Sequence, residues 1–315
     1  MVNPGADSGP IFIGGLAHSG KTPLRLMLAA HPDLAMSRRT YMWTRFYNRY
    51  GDLSGRDNYE RCLAAMLKQK GIRALRPDPD RIRREFWQGS PTYARLFALF
   101  HEHYAQQLGK SRWGDQLGFI ERFVEPIFAA YPTARMVHMI RDPRDRSEVA
   151  MTKSRYRKGK VGWSTARWLY SAALAQENQD RYPDRYQVIR YEILVAEPEK
   201  TLRTICAFLG EDYRPRMLDA ARFGKAEQSR RASLAGEPAV RSSKNMGHRL
   251  SERDLAFTQA YTRRHLLDFD YPLQPTMLSQ AERLLFYFVD WPANRLGMAA
   301  WNTLKAKSLT RYLME

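Results

Sequence analysis

Pro10-Ile11-Phe12-Ile13-Gly14, followed at once by Gly15-Leu16-Ala17-His18-Ser19-Gly20-Lys21-Thr22, is the stretch on which the fold turns. The first half is a short apolar run ending in glycine, the pattern of a strand buried on both faces. The second half satisfies G-x-x-x-x-G-K-[ST]. Beyond it, Leu24, Leu26, Met27, Leu28 and Ala30 predict a buried helix, with Pro23 in its first turn and His31-Pro32-Asp33 as its stop. Strand, glycine loop and helix in this order form a cradle for a phosphate-type anion. Glycines let backbone N–H groups turn inward, the helix N-terminus adds positive potential, and Lys21 supplies a full charge.

Outward from this loop the chain alternates. Ala134–Ile140 and Tyr186–Tyr191 read as further apolar strands. Helices are predicted over Tyr59–Lys70, Arg81–Leu108, Thr165–Asp180 (capped by Ser164 or Thr165) and Thr201–Leu209, the last closed by Gly210. Strands alternating with helices predict an α/β fold, a P-loop-type parallel β-sheet flanked by helices. Such a sheet takes its ligand at the carboxyl ends of the strands, where the loops after Gly14 and Ile140 both fall. From Tyr41 to Tyr50 aromatics and cations interleave, and Phe97, Phe100 and Tyr104 recur at helical spacing. These aromatics read as core or as the wall of an acceptor pocket.

Composition bounds the partners. The 315 residues include 51 Lys+Arg against 33 Asp+Glu, a formal charge of +18, which favours an anionic ligand, an anionic membrane surface or nucleic acid. At 44% apolar the chain can bury a substantial core, which excludes wholesale disorder. Cys62 and Cys206 are the only cysteines, too few for a disulfide scaffold or a four-thiolate zinc site. No basic segment followed by an apolar run opens the sequence, so a cytoplasmic protein is expected. The longest apolar stretch, Leu284–Trp301, is interrupted by Asp290, Pro292, Asn294 and Arg295 and does not read as a membrane span.

The cradle alone suits a kinase using Mg-ATP, with Thr22 and an acid at the end of the second strand holding the metal. That strand instead runs into Arg141-Asp142-Pro143-Arg144-Asp145. Arg141 and Arg144 suit a second anion; the alternative is a charged turn paired within itself. Together the two loops ask for a ligand with phosphates at both ends.

On these residues the chain resembles the sulfotransferases that use 3′-phosphoadenosine 5′-phosphosulfate (PAPS). Ile11 to Pro32 is similar to the family's strand, loop and His-Pro helix. Val137 to Asp145 is similar to its 3′-phosphate motif, and Ile189 to Leu209 to its Tyr-Glu-Asp-Leu strand and following helix. The resemblance implies a catalytic domain over residues 1–275, with a helical acceptor-site insertion, and an amphipathic helical C-terminal tail over 276–315. It implies that Gly15, His18, Ser19, Gly20, Lys21 and Thr22 hold the 5′-phosphosulfate, Arg141 the 3′-phosphate, and that Tyr191 lies near the adenine. His18 stands where the family usually has Lys or Arg, and Lys21 where it usually has Thr. A family serine falls on Val149 here, with Ser147 the nearest hydroxyl.

The resemblance also frames the chemistry. Lys21, with His18, would neutralise the bridging oxygen as the adenosine bisphosphate leaves, without a divalent metal. The family's glutamate after the His-Pro helix is replaced by Arg38-Arg39. Trp113-Gly114-Asp115-Gln116-Leu117 resembles an acid-Lys-Thr-Pro block, which makes Asp115 the candidate base or else a loop cap. His138 reads as a core residue, and His101 and His103 lie on different helix faces, a poor metal pair. The acceptor would be a hydroxyl of a carbohydrate, glycolipid or other amphiphile, and no nucleic acid is expected.

Two segments bear on the acceptor. Lys153, Arg155, Arg157, Lys158 and Lys160 form a basic segment that is either a solvated loop or an anion dock. Leu284–Leu313 mixes aromatics with flanking cations. It suits peripheral contact with the inner membrane surface, packing on its own domain, or a homodimer contact. A basic nucleic-acid or membrane-binding protein with a non-catalytic loop is the reading from another class.

Overall fold

The computed structural model describes residues 9–145, 159–219 and 250–314, with side chains to residue 305. Ser147 and the basic segment from Lys153 to Lys158 lie outside the described residues. Five parallel strands form one sheet: β1 (Ile11–Gly14), β2 (Leu34–Arg38), β3 (Arg112–Gln116), β4 (Arg135–Ile140) and β5 (Tyr186–Arg190), in the order β2-β3-β1-β4-β5. β1 is central and wholly buried, as an apolar run flanked by two parallel neighbours requires. Phe12 faces one core with Ala35 and Trp113, whereas Ile11 and Ile13 face the other with Met36.

Helix α1 (Lys21–Ala29) follows β1 directly. Between β2 and β3 lie α2 (Met42–Arg45), α3 (Arg56–Leu67), α4 (Lys70–Arg73), α5 (Pro79–Phe86) and α6 (Tyr93–Gln107). The single helix expected over Arg81–Leu108 is thus two, broken before Pro91, which disfavours helix in the residue before it. A 3₁₀ turn (Ile120–Phe123) and α7 (Val124–Ala130) connect β3 to β4, and α8 (Lys160–Arg181) precedes β5. α8 begins at Lys160 after Gly159, a turn earlier than the expected caps Ser164 and Thr165, both of which are buried. Tyr191 opens α9 (Tyr191–Ala196) rather than closing β5, and α10 (Pro198–Leu209) follows.

After α11 (Glu252–Asp268) the chain ends in one long helical rod. It comprises α12 (Gln280–Leu285), a π-helical turn (Phe286–Asp290) and α13 (Trp291–Met314). The rod packs along α8, where Asn294 Oδ1 accepts the Gly162 N–H at 3.0 Å. Among the described residues, no helix is long and apolar enough to cross a membrane.

Strands β2 and β3 are additions to the strands legible in the sequence. β3, Arg-Trp-Gly-Asp-Gln, has the composition of a loop, yet all five residues are buried. Tertiary partners satisfy its polar groups. Arg112 donates to the carbonyls of Gly9 (2.6 Å) and Leu209 (2.7 Å) and pairs with Glu211 at 2.8 Å.

Candidate active site

The glycine loop sits at the carboxyl end of β1 and is shaped by its neighbours. Gly15 has φ +110°, and a Cβ there would stand 2.2 Å from the Met139 carbonyl of β4. Gly20 has φ +92°, and its Cβ would strike the Tyr191 ring at 2.2 Å. Both positions need glycine, for backbone conformation and for space. His18 also adopts a left-handed conformation, φ 68°, at the exposed tip of the loop.

Lys21 is 6% exposed. Its ammonium donates to the carbonyls of Gly15, at 2.5 Å, and Leu16. The Ser19 hydroxyl also turns onto its own loop, donating to the Leu16 carbonyl at 2.8 Å. Thr22 is half-buried in the first turn of α1. A cation held on carbonyl oxygens is poised to exchange them for the oxygens of an anion in the loop.

A second buried charge supports the loop from below. Glu121, in the 3₁₀ turn, is 1% exposed, and its Oε2 accepts the Gly15 N–H at 3.0 Å. Its Oε1 accepts from the Ser171 hydroxyl at 3.2 Å. Ser171 also meets His138 Nε2 at 3.1 Å, and His138 Nδ1 meets the Tyr186 hydroxyl at 2.6 Å. Both ring nitrogens of His138 are thereby engaged in the core. Burial lowers its pKa, the Glu121 charge opposes that shift, and Lys21 adds to it. Nothing in the spacing of the sequence marks Glu121.

The second loop touches the first. The Arg141 guanidinium lies 4.7 Å over the Tyr191 ring and donates to the His18 carbonyl at 3.3 Å. Gly20, Tyr191, Arg141 and His18 therefore converge on one wall. Burial raises the Tyr191 phenol pKa, which Arg141 partly offsets. Glu192 fixes this wall from behind, where its two oxygens accept the Asp142 N–H at 3.0 Å and the Tyr271 hydroxyl at 2.9 Å. It stands beside Tyr191 in the sequence and is the second carboxylate that sequence reasoning left without a role.

Arg144 does not join Arg141. It is fully buried and chelates Asp142, with Nη2 to Oδ2 at 2.6 Å. Its remaining donors reach Gln259 Oε1 (2.9 Å) and the Pro272 carbonyl (2.8 Å). Of the two arginines expected to suit a second anion, Arg144 follows the alternative of internal pairing and ties the loop to α11.

Asp115 is fully buried at the end of β3. Its oxygens accept from the Ser37 hydroxyl at 2.7 Å and the Thr40 hydroxyl at 2.6 Å. Ser37 Oγ also lies 3.1 Å from His101 Nε2. Leu117 and Gly118 join this strand end to the loop, and a Cβ on Gly118 would lie 3.7 Å from Lys21 Nζ.

A cavity of about 340 Å³ opens beside the 3₁₀ turn, lined by Trp43, Tyr47, Tyr50, Leu53, Tyr93 and Pro126, among others. Phe123 of that turn contacts Trp43 and Tyr47, at centroid distances of 6.3 and 6.2 Å. The Trp43 indole nitrogen and the Tyr93 hydroxyl are buried without a hydrogen-bond partner among the described residues. Phe97 and Phe100, by contrast, are core. Among the described residues, one group of side chains has metal-ligand proximity, namely His31, Asp33 and Glu211. It lies at the amino-terminal edge of the sheet, where Glu211 is paired with Arg112 and His31 Nε2 meets the Asp212 carbonyl at 2.9 Å.

The model of the sulfotransferase family matches residues 10–215. Similar solved structures include the sulfotransferase domain of the Synechococcus PCC 7002 olefin synthase. It is 20% identical, with a TM-score of 0.53, covering 84% of this chain and 95% of that one. The sulfotransferase domain from the curacin biosynthetic pathway is 16% identical, with a TM-score of 0.53, covering 85% and 99%. At these identities the likeness is one of fold. No curated protein matches the chain by sequence similarity.

Proposed function

This chain belongs to the sulfotransferase family, and from that premise we propose that it moves the sulfuryl group of PAPS to a hydroxyl of a carbohydrate, glycolipid or other amphiphilic acceptor. The observation that carries the reading is the junction of two cationic loops. Lys21 is buried in one, and Arg141, on Tyr191 and the His18 carbonyl, closes against it from the other. A ligand with anionic groups at both ends fits that pair better than a triphosphate, which needs a metal-binding acid where Arg141 stands.

The roles follow from position. Gly15, His18, Ser19, Gly20, Lys21 and Thr22 take the phosphosulfate end, Arg141 takes the 3′-phosphate, and Tyr191 packs near the adenine. Lys21 leaves the Gly15 and Leu16 carbonyls for the bridging oxygen and neutralises it as the S–O bond breaks. Asp115, positioned by the Ser37 and Thr40 hydroxyls, receives the proton of the attacking hydroxyl. The new S–O bond forms in line, leaving adenosine 3′,5′-bisphosphate. The aromatic cavity supports a sugar or amphiphile as acceptor, because rings line it and the Trp43 N–H and Tyr93 O–H lack partners among the described residues. Residues 1–275 form the catalytic domain in this reading and 276–315 its tail.

Thermal-shift titration tests the proposal. Adenosine 3′,5′-bisphosphate without Mg²⁺ should stabilise the protein, by about 2.7 kcal/mol at a hundredfold excess over Kd. Stabilisation by Mg-ATP alone would replace the reading with a kinase. Incubating cell extract with ³⁵S-labelled PAPS then asks where label goes, and label on protein alone would exclude the acceptor classes named here.

A further inference from the structure

We propose that the outer face of the carboxyl-terminal rod docks on an anionic lipid surface. The rod has two faces of different fate. Its inner face is fixed to the domain. Phe286 is buried with Phe257 and Val161, Asn294 bonds Gly162, and Trp301 stacks on Phe119 at 5.9 Å and meets Trp163 at 5.4 Å. The outer face is bare. Leu284, Leu285, Tyr287, Phe288, Val289 and Leu296 are between 41% and 76% exposed.

The π-helical turn makes this face. A regular helix that buries Phe286 turns Val289 or Asp290 back inward, since residues three and four apart share a side. The wider turn delays the return until Trp291, which packs on Phe286 at 5.4 Å and Phe257 at 5.3 Å. Three consecutive large apolar residues, Tyr287, Phe288 and Val289, are left facing out. An exposed apolar row flanked by cations suits a helix lying on a lipid surface. Among the described residues no helix is long and apolar enough to cross a membrane.

Charge selects the occupant. Arg283 and Arg295 are exposed along the same apolar row. The one acid between Arg283 and Lys305 is Asp290, and Arg253 neutralises it at 3.0 Å. The face is therefore apolar and cationic on a chain of formal charge +18, which complements an anionic headgroup layer rather than a second copy of the same basic chain. Docking would also orient the proposed active site. Trp301 rests on Phe119, the residue after Gly118, whose Cβ position lies 3.7 Å from Lys21 Nζ. On the reading of the preceding subsection, an amphiphilic acceptor could then reach the site while its tail stays in the lipid.

The test is flotation of the full chain with vesicles of neutral phosphatidylcholine, or with a third of that lipid replaced by phosphatidylglycerol. The wild type should float with the anionic vesicles. Phe288→Ser combined with Leu296→Ser should weaken that binding at least ~10-fold. Arg283→Gln with Arg295→Gln should weaken it on anionic vesicles and leave neutral ones unchanged. All forms should bind adenosine 3′,5′-bisphosphate equally, which separates this proposal from the enzymatic one. Equal flotation of wild type and Phe288→Ser/Leu296→Ser would overturn it. So would a wild-type dimer that the same pair of substitutions dissolves, because a second copy would then cover the face.

Discussion

The two loops that meet at the candidate site are held in opposite ways. The glycine loop is fixed through its backbone. Gly15 N–H is held by Glu121, the Leu16 carbonyl by Ser19 and Lys21, and φ angles at Gly15, His18 and Gly20 are ones most residues avoid. The loop after β4 is fixed through side chains: Arg144 on Asp142, Gln259 and the Pro272 carbonyl, with Glu192 behind. The difference teaches which charges can act. Lys21 donates to carbonyl oxygens, whose place the oxygens of an anion can take. Arg144 neutralises a buried carboxylate and cannot leave without stranding it.

The largest expected effect belongs to the charge that can move. Lys21→Ala should lower kcat by roughly 10²–10³-fold, the range for losing one donor to a developing oxyanion. Affinity for adenosine 3′,5′-bisphosphate should change far less, because in the proposed role the interaction strengthens only as the S–O bond breaks. Single-turnover kinetics beside a binding titration reads both. A loss confined to affinity would make Lys21 a binding residue and remove the contrast between the loops.

The next effect belongs to the charge that cannot. Arg144→Ala leaves Asp142 buried without its cation and should destabilise the fold by about 3 kcal/mol, measured by chemical denaturation. Nucleotide affinity per folded molecule should hold. If stability were unchanged and affinity fell instead, Arg144 would be an anion ligand after all and the assignment to α11 would fail.

How much of this was visible in the sequence follows the same division. The glycine loop was legible because its chemistry is local: a strand, glycines at fixed spacing and a lysine within a dozen residues. The parallel α/β class was legible for the same reason, from apolar strands β1, β4 and β5. β3 was not, because the partners that bury Arg112 and Asp115 come from residues 9, 37, 40, 209 and 211. Arg141 and Arg144 look alike in sequence, and only Gln259 and Pro272, more than a hundred positions away, tell them apart. Glu121 was silent because its partner, the Gly15 N–H, is a backbone group that every residue type but proline carries. Long-range satisfaction of polar groups is what a single sequence conceals.

The smallest expected effect is also the sharpest test of the wall shared by the loops. In the proposed role Arg141→Ala removes a charge-assisted contact to a ground-state phosphate and should cost about 2 kcal/mol, or ~30-fold, in affinity for adenosine 3′,5′-bisphosphate. Arg141 also stacks on Tyr191 and bonds the His18 carbonyl, so its truncation could act through the loop instead. Adenosine 5′-phosphate, which lacks the 3′ group, separates these routes. A direct contact lowers affinity for the bisphosphate alone and leaves the monophosphate unchanged, whereas a loosened loop weakens both equally. Arg141→Lys keeps the charge but not the planar stacking, and should recover part of the bisphosphate affinity if the contact is electrostatic. Equal losses for both nucleotides, with no recovery in Arg141→Lys, would move Arg141 into the class of Arg144, a residue that shapes the site without touching its ligand.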